Sequence, residues 1–297
     1  MPRTALTRFA VALLPALLLA GCSAAGSENE AGQGPRLEVD QELHEMLPDG
    51  VRERGSLRVG TDASYAPMSS YGEDGRTIVG VEPDLGKVLG QVLGVKVVFQ
   101  PVDFTAIIPG VQAGTLDLGM SAMTDTEQRA EHVDFVNYFS AGTSILVQRG
   151  NPAGITEIND LCGKVVAVEK GTTQVDLLDR SQANCGPEKI DVRTYSTNSD
   201  ALVQLRTGRA AAVLNDLPPA ALLVTDPTTK ANYQLASTNQ YEPGLYGVAV
   251  DKQEPGLRDA VQGAFEVLVE EGVYADVLAE WGVEDGAIKD VTVNSGR

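Results

Sequence analysis

Apolar residues in this chain recur in two rhythms that replace one another from segment to segment. Behind Glu82-Pro83-Asp84, the positions Leu85, Val88, Leu89, Val92 and Leu93 keep helical spacing until Gly94 stops the run. Leu257, Val261, Ala264, Phe265 and Leu268 make a second stripe over Leu257 to Glu270, and Tyr274 to Trp281 forms a last amphipathic helix. Shorter helices are expected over Asp40 to Leu47, over Phe104 to Ala113, through Val175, Leu177 and Leu178, and behind Ser199 as a cap for Leu202, Val203 and Leu205. Strand character marks Ser56 to Gly60, Val95 to Gln100, Thr115 to Met120, Lys164 to Val168, Ala210 to Leu214 and Tyr246 to Val250. Ala63 to Gly80 and Asn215-Asp216 before Pro218 read as loop, with a polar region following. Strands alternating with helices of this size predict an α/β architecture, with mostly parallel sheets flanked by helices. The pattern restarts near Ser144, so two α/β sets are expected at domain scale.

The first residues break this rhythm. Arg3 and Arg8 precede or open an apolar run from Phe9 to Ala20, closed by Leu19-Ala20-Gly21-Cys22. The run is too short to span a bilayer comfortably and has the order of a secretory signal over residues 1–21. Leu-Ala-Gly-Cys is similar to a bacterial lipobox, which implies cleavage before Cys22 and lipid attached to its thiol. Ser23 to Arg36, rich in Gly, Ala, Ser, Glu and Gln, makes residues 22–36 a flexible tether reaching about 20 Å.

Composition narrows the partners. With 43% hydrophobic and 22% charged residues in 297, the chain can bury a substantial core. Its formal net charge is −18, and loss of the leader's two arginines makes it more negative. A nucleic-acid partner needs a basic footprint, so none is expected. The same acidity disfavours docking on anionic lipid, which leaves the lipid itself as the membrane attachment. Cys162 and Cys185 are the other cysteines, and in an exported chain they pair most simply as a disulfide worth about 3 kcal/mol. His44 and His132 are the only histidines, so no metal site is expected, and no sequence feature calls for a cofactor.

The stretch Gly119 to Phe135 carries candidate chemistry. An apolar, Gly-containing run ends in Ser121, Ala122 and Thr124, and Arg129 follows in a short helical segment. Loop hydroxyls and backbone N–H groups at a strand end, with an arginine fork, suit a carboxylate. Spacing alone reads equally well as a surface arginine on an amphipathic helix.

Six motifs in order decide more than any one of them. They are Val59-Gly-Thr-Asp-Ala-Ser-Tyr-Ala-Pro67, Gly80 to Leu85, Asp103-Phe-Thr-Ala-Ile-Ile-Pro109, Gly119 to Phe135, Val166 to Gln174, and Ala211 to Asp216. Together they resemble the family 3 extracellular solute-binding proteins, the amino-acid receptors of bacterial ABC importers, from about Leu57 to Trp281. The resemblance implies a two-lobed periplasmic-binding-protein-like fold of type II, joined by two hinge strands near Gly142 to Leu146 and Tyr246 to Val250. It implies a discontinuous first lobe, 37–143 and 247–285, a second lobe, 144–246, and a polar tail, 286–297. The expected partners are a small-molecule amino acid and ABC permease subunits, with the receptor a monomer anchored outside the cytoplasm.

The same resemblance places residues around a ligand. Arg129 and Thr124 match the carboxylate position, and Thr173, opening a helix, would add N–H donors from the opposite lobe. Asp216 matches the ammonium acceptor, helped by the backbone at Ala122; its other reading is a helix cap before Pro218. Tyr65 and Phe104 match aromatic pocket positions, although Phe104 alone also suits core packing. Trp281 reads as packing. Asp62 matches a side-chain-reading position, and Glu169 stands where relatives carry apolar or basic residues. Two carboxylates there favour a basic amino acid, with glutamine or another polar one next, unless Glu169 pairs with Lys170 and faces solvent. No catalytic residue is required. The alternatives are a cyclohexadienyl dehydratase-like enzyme, with Glu169 as its acid or base, and a ligand sensor without transport.

Overall fold

A computed structural model describes residues 37–296. The expected signal over 1–21, Cys22 and the tether over 22–36 lie outside the described residues. Strand Ser56–Thr61 pairs in parallel with Lys96–Pro101 on one side and with Leu118–Gly119 on the other. Helix Val81–Leu93 packs beside helix Pro255–Glu270, and Leu85, Val92, Val261 and Phe265 of their stripes are buried in one cluster. Gly94 closes the first helix in the left-handed conformation, as its position predicts.

A second parallel set lies farther along the chain. Strand Val165–Glu169 sits between Ala212–Asp216 and Asp191–Tyr195, parallel to both. Its core has two faces, one around Val166, Leu178 and Leu214 and one around Ala167, Leu205 and Val213. The alternation of faces along each strand follows from the two-residue side-chain period.

Two long strands unite these wings. Val133–Gln148 runs for 16 residues, pairing antiparallel with Tyr241–Asp251 and, farther on, with Ala212–Asp216. Tyr241–Asp251 in turn pairs with Leu118–Gly119, so one mixed sheet passes through both lobes. The expected crossings near Gly142 to Leu146 and Tyr246 to Val250 fall inside these strands.

Several elements differ from expectation. Part of the loop Ala63 to Gly80 folds into a small antiparallel sheet of Ser64–Tyr65, Ser69–Tyr71 and Ile78–Val79. Gly80 brings this loop onto the next helix: at φ 140, any side chain there would meet the Met68 carbonyl oxygen at 2.3 Å. Leu217–Thr225 is a helix although its prolines signal a turn, because proline is tolerated at the first helical positions. Thr197, not Ser199, caps helix Asn198–Arg206, accepting from the Asp200 N–H. The stretch expected as a polar tail lies along the long strand, with Val293 bridging Val136 and Asn294 bonding Phe135 and Asp134. Cys162 and Cys185 are disulfide-bonded, as expected, within the second wing.

Candidate functional site

The nine residues singled out in the sequence meet around one narrow cavity between the lobes: Asp62, Tyr65, Phe104, Ala122, Thr124, Arg129, Glu169, Thr173 and Asp216. Strand ends deliver most of them. Asp62 follows Ser56–Thr61, Ala122 and Thr124 follow Leu118–Gly119, Glu169 ends Val165–Glu169, and Asp216 ends Ala212–Asp216. Backbone N–H and C=O groups at such ends leave the ladder, so side chains and ligands can use them.

Arg129 is held from both lobes. Its Nη1 donates to the Thr124 carbonyl at 2.7 Å and its Nη2 to the Gly171 carbonyl at 2.9 Å. The guanidinium carbon lies 5.3 Å from the centre of the Phe104 ring, a cation–π contact that gives this phenylalanine a role beyond packing. Burial lowers the Arg129 pKa to about 10, partly opposed by Asp176 and Asp216, so the group stays cationic at neutral pH. Opposite it, Thr173 opens helix Thr173–Ser181, whose cap position Thr172 turns its hydroxyl to the Glu169 carbonyl instead of capping. The first N–H groups of that helix therefore have no side-chain cap, and its positive end faces the cleft.

Asp216 occupies the cap position of Leu217–Thr225 without making a cap hydrogen bond. Its carboxylate accepts instead from Tyr246 at 2.7 Å, Tyr65 at 3.1 Å and Gln174 at 2.7 Å. Burial raises its pKa by more than these donors and the Arg129 charge lower it. A buried carboxylate that lines the cleft is suited to an ammonium, which needs an acceptor once it loses water.

Ala122 has a left-handed backbone, φ 46, which costs energy for a residue with a side chain. Its N–H donates at 2.5 Å to Glu82, which is fully buried and also accepts from Ser69 and Tyr138. That N–H is thus committed, and the carbonyl is the polar backbone atom left to a ligand. Glu82 lies in the Gly80 to Leu85 motif, but its grip on Ala122 joins residues far apart in sequence.

Asp62 and Glu169 face each other across the cleft, 5% and 6% exposed. The outward reading of Glu169, paired with Lys170, is not the one observed. Burial, and next the Asp62 charge, push the Glu169 pKa up to about 9; burial also raises Asp62, against hydrogen bonds from Ser64. Thr172 and Gln174, in the Val166 to Gln174 motif but without an expected role, also line the cavity, as does Ser121, one of the loop hydroxyls of the Gly119 to Phe135 stretch. Trp281 stays outside, its Nε1 donating to Asp84 at 2.8 Å.

A binding protein of two α/β lobes, with complementary charges in the cleft between them, is the class that this fold and site define. The chain belongs to the bacterial extracellular solute-binding proteins, family 3, whose pattern it matches over residues 57–284. It is 32% identical to the arginine-binding protein of Corynebacterium glutamicum, over 85% of this chain and 83% of that one. The L-cystine-binding protein of Escherichia coli is 30% identical over 80% and 86%. Among solved structures, an ancestral arginine-binding protein bound to arginine superposes with a TM-score of 0.71 at 34% identity, covering 77% of this chain and 98% of that one. The type II fold expected from the sequence is the one observed. No helix of the described residues is long and apolar enough to cross a membrane.

Proposed function

We propose that this chain is the lipid-anchored receptor of an amino-acid ABC importer and that it binds a basic amino acid in the interlobe cleft. Arg129 and the first turn of Thr173–Ser181 take the carboxylate, with Thr124 fixing the Arg129 fork. Asp216 and the Ala122 carbonyl take the ammonium, and Phe104 and Tyr65 enclose the chain. Asp62 and Glu169 read the side chain, favouring arginine or lysine over glutamine. Cys22 carries the lipid, residues 22–36 form the tether, and 37–143 with 247–285 close as one lobe on 144–246.

The observation that carries this reading is the placement of Arg129 and Asp216 in one cavity that two further buried carboxyls, Asp62 and Glu169, also line. A zwitterion loses water at both charges on burial, and the cleft offers a partner to each. The similarity to arginine-binding proteins supports the basic ligand. A thermal-shift panel of amino acids tests it: a ligand at about a hundred times its dissociation constant adds about 2.7 kcal/mol. Stabilisation by glutamate or aspartate but not by arginine or lysine would sink the assignment.

One observation favours a second reading. A protonated, buried Glu169 is what a general acid requires, and an ancestral amino-acid-binding protein that is a precursor of cyclohexadienyl dehydratase is 34% identical over 78% of this chain. Turnover of a cyclohexadienyl acid, lost in Glu169→Gln, would move the protein to that class.

A further inference from the structure

We propose that Asp62 and Glu169 hold one shared proton, which a cationic ligand displaces, so that affinity for a basic amino acid is coupled to pH while affinity for a neutral one is not. This rests on reading the cleft as an amino-acid site and adds to it a regulation of that site.

The geometry supplies the argument. The two carboxyls come from opposite lobes and are both more than nine-tenths buried. Glu169 Oε1 is buried with no hydrogen-bond partner, and Glu169 and Asp62 line the same cavity. Asp103 and the Tyr65 phenol bear on the pair and neither is a cation, while Arg129, the cation that lines the same cavity, stands in the field of Asp176, Asp216 and Asp125. Ser121, Ser64 and the Asn198 backbone N–H, at the start of helix Asn198–Arg206, complete the polar surroundings. Asn215 stands two residues beyond the last paired position of the strand beside Glu169, and its amide is buried without partners. Two ionised carboxylates cannot share such a place without a positive charge, so one of them keeps a proton.

A guanidinium or ammonium changes that balance. Its N–H groups donate to both carboxylates and supply the missing charge, and the carboxyl O–H bond breaks with its proton passing to solvent. The ligand stays protonated, so each binding event releases one proton. An exit exists: Asp62 also lines a solvent-open notch of about 390 Å³ with Asp103, Thr197 and Ser199.

Titration calorimetry of the purified protein with arginine and with glutamine, each in two buffers of different ionisation heat, tests the proposal. Arginine is expected to release close to one proton and to tighten by up to about tenfold per pH unit from about pH 5 to about pH 8. Glutamine, with the same backbone groups, is expected to release none and to stay flat. In Glu169→Gln the arginine slope and the proton release both vanish, while the wild-type buffer comparison stands even if that variant folds poorly. Arginine binding that is flat with pH and releases no proton overturns the proposal and leaves the amino-acid reading intact. Binding of glutamine alone at every pH overturns it in the same way, whereas failure of every amino acid to bind removes the underlying reading as well.

Discussion

Tyr65 and Asp216, 151 residues apart in sequence, hydrogen bond twice across the cleft. The Tyr65 hydroxyl donates to Asp216 Oδ2 at 3.1 Å and accepts from the Asp216 N–H at 2.9 Å. With the Arg129 bond to Gly171 and the Asn198 N–H bond to Ser64, this pair ties the two lobes together beside the cavity. Closure is thus part of the site.

Tyr65→Phe keeps the ring and removes both bonds. Each is worth about 1 kcal/mol, so the dissociation constant is expected to rise by about ten- to thirtyfold, measured by calorimetry. An unchanged constant would show that the pair does not hold the liganded form.

Arg129→Ala is expected to weaken arginine by about a hundredfold or more, because a buried carboxylate loses its partner. Agmatine, which lacks the carboxylate, should lose only the lobe-bridging bond to Gly171, about tenfold or less. A large loss for both ligands would place Arg129 in closure alone.

Glu82→Ala leaves the Ala122 N–H and the Ser69 and Tyr138 hydroxyls without their common acceptor. Destabilisation by about 2–4 kcal/mol is expected in denaturant unfolding. Glu82→Gln should recover part of that, since an amide oxygen can still accept; equal loss in both variants would argue that the charge itself is needed.

Asp117 accepts from Arg58 at 2.7, 3.1 and 2.8 Å and from Arg54 at 2.7 Å. Burial raises its pKa, but the Arg58 hydrogen bonds outweigh this and hold it below the ordinary carboxylate value. A depressed folded-state pKa stabilises above the unfolded value, near pH 4, and that contribution fades as pH falls through the folded value. Asp117→Asn should therefore lower the melting temperature at neutral pH, with the gap to wild type closing in acid. A gap that is constant with pH would contradict this.

Reduction of Cys162–Cys185 should destabilise the second wing by about 3 kcal/mol, seen as a lower melting temperature with reductant. Both cysteines pack in that wing's core and neither lines the cleft, so arginine affinity at room temperature should hold.

The amino-acid sequence by itself determined the alternation of strands and helices, the expected pairing of Cys162 with Cys185, and, through the family resemblance that six ordered motifs carry, nine residues that line the cavity. Those features are local: periodicity, stop signals and short motifs need no distant partner to be read. It also left Arg129, Asp216 and Glu169 each with two readings. The tertiary structure decided among them, because the choice depends on groups far along the chain. Asp216 sits at a cap position, yet it turns inward to hydroxyls at 65 and 246 that only folding brings near. Glu169 could have reached solvent beside Lys170, but burial against Asp62 from the other lobe turns an ordinary acid into one that holds its proton. Helix Leu217–Thr225 and the docked stretch after 286 escaped for the same reason: prolines and polar residues bias the local chain, and packing on the long strand overrides that bias.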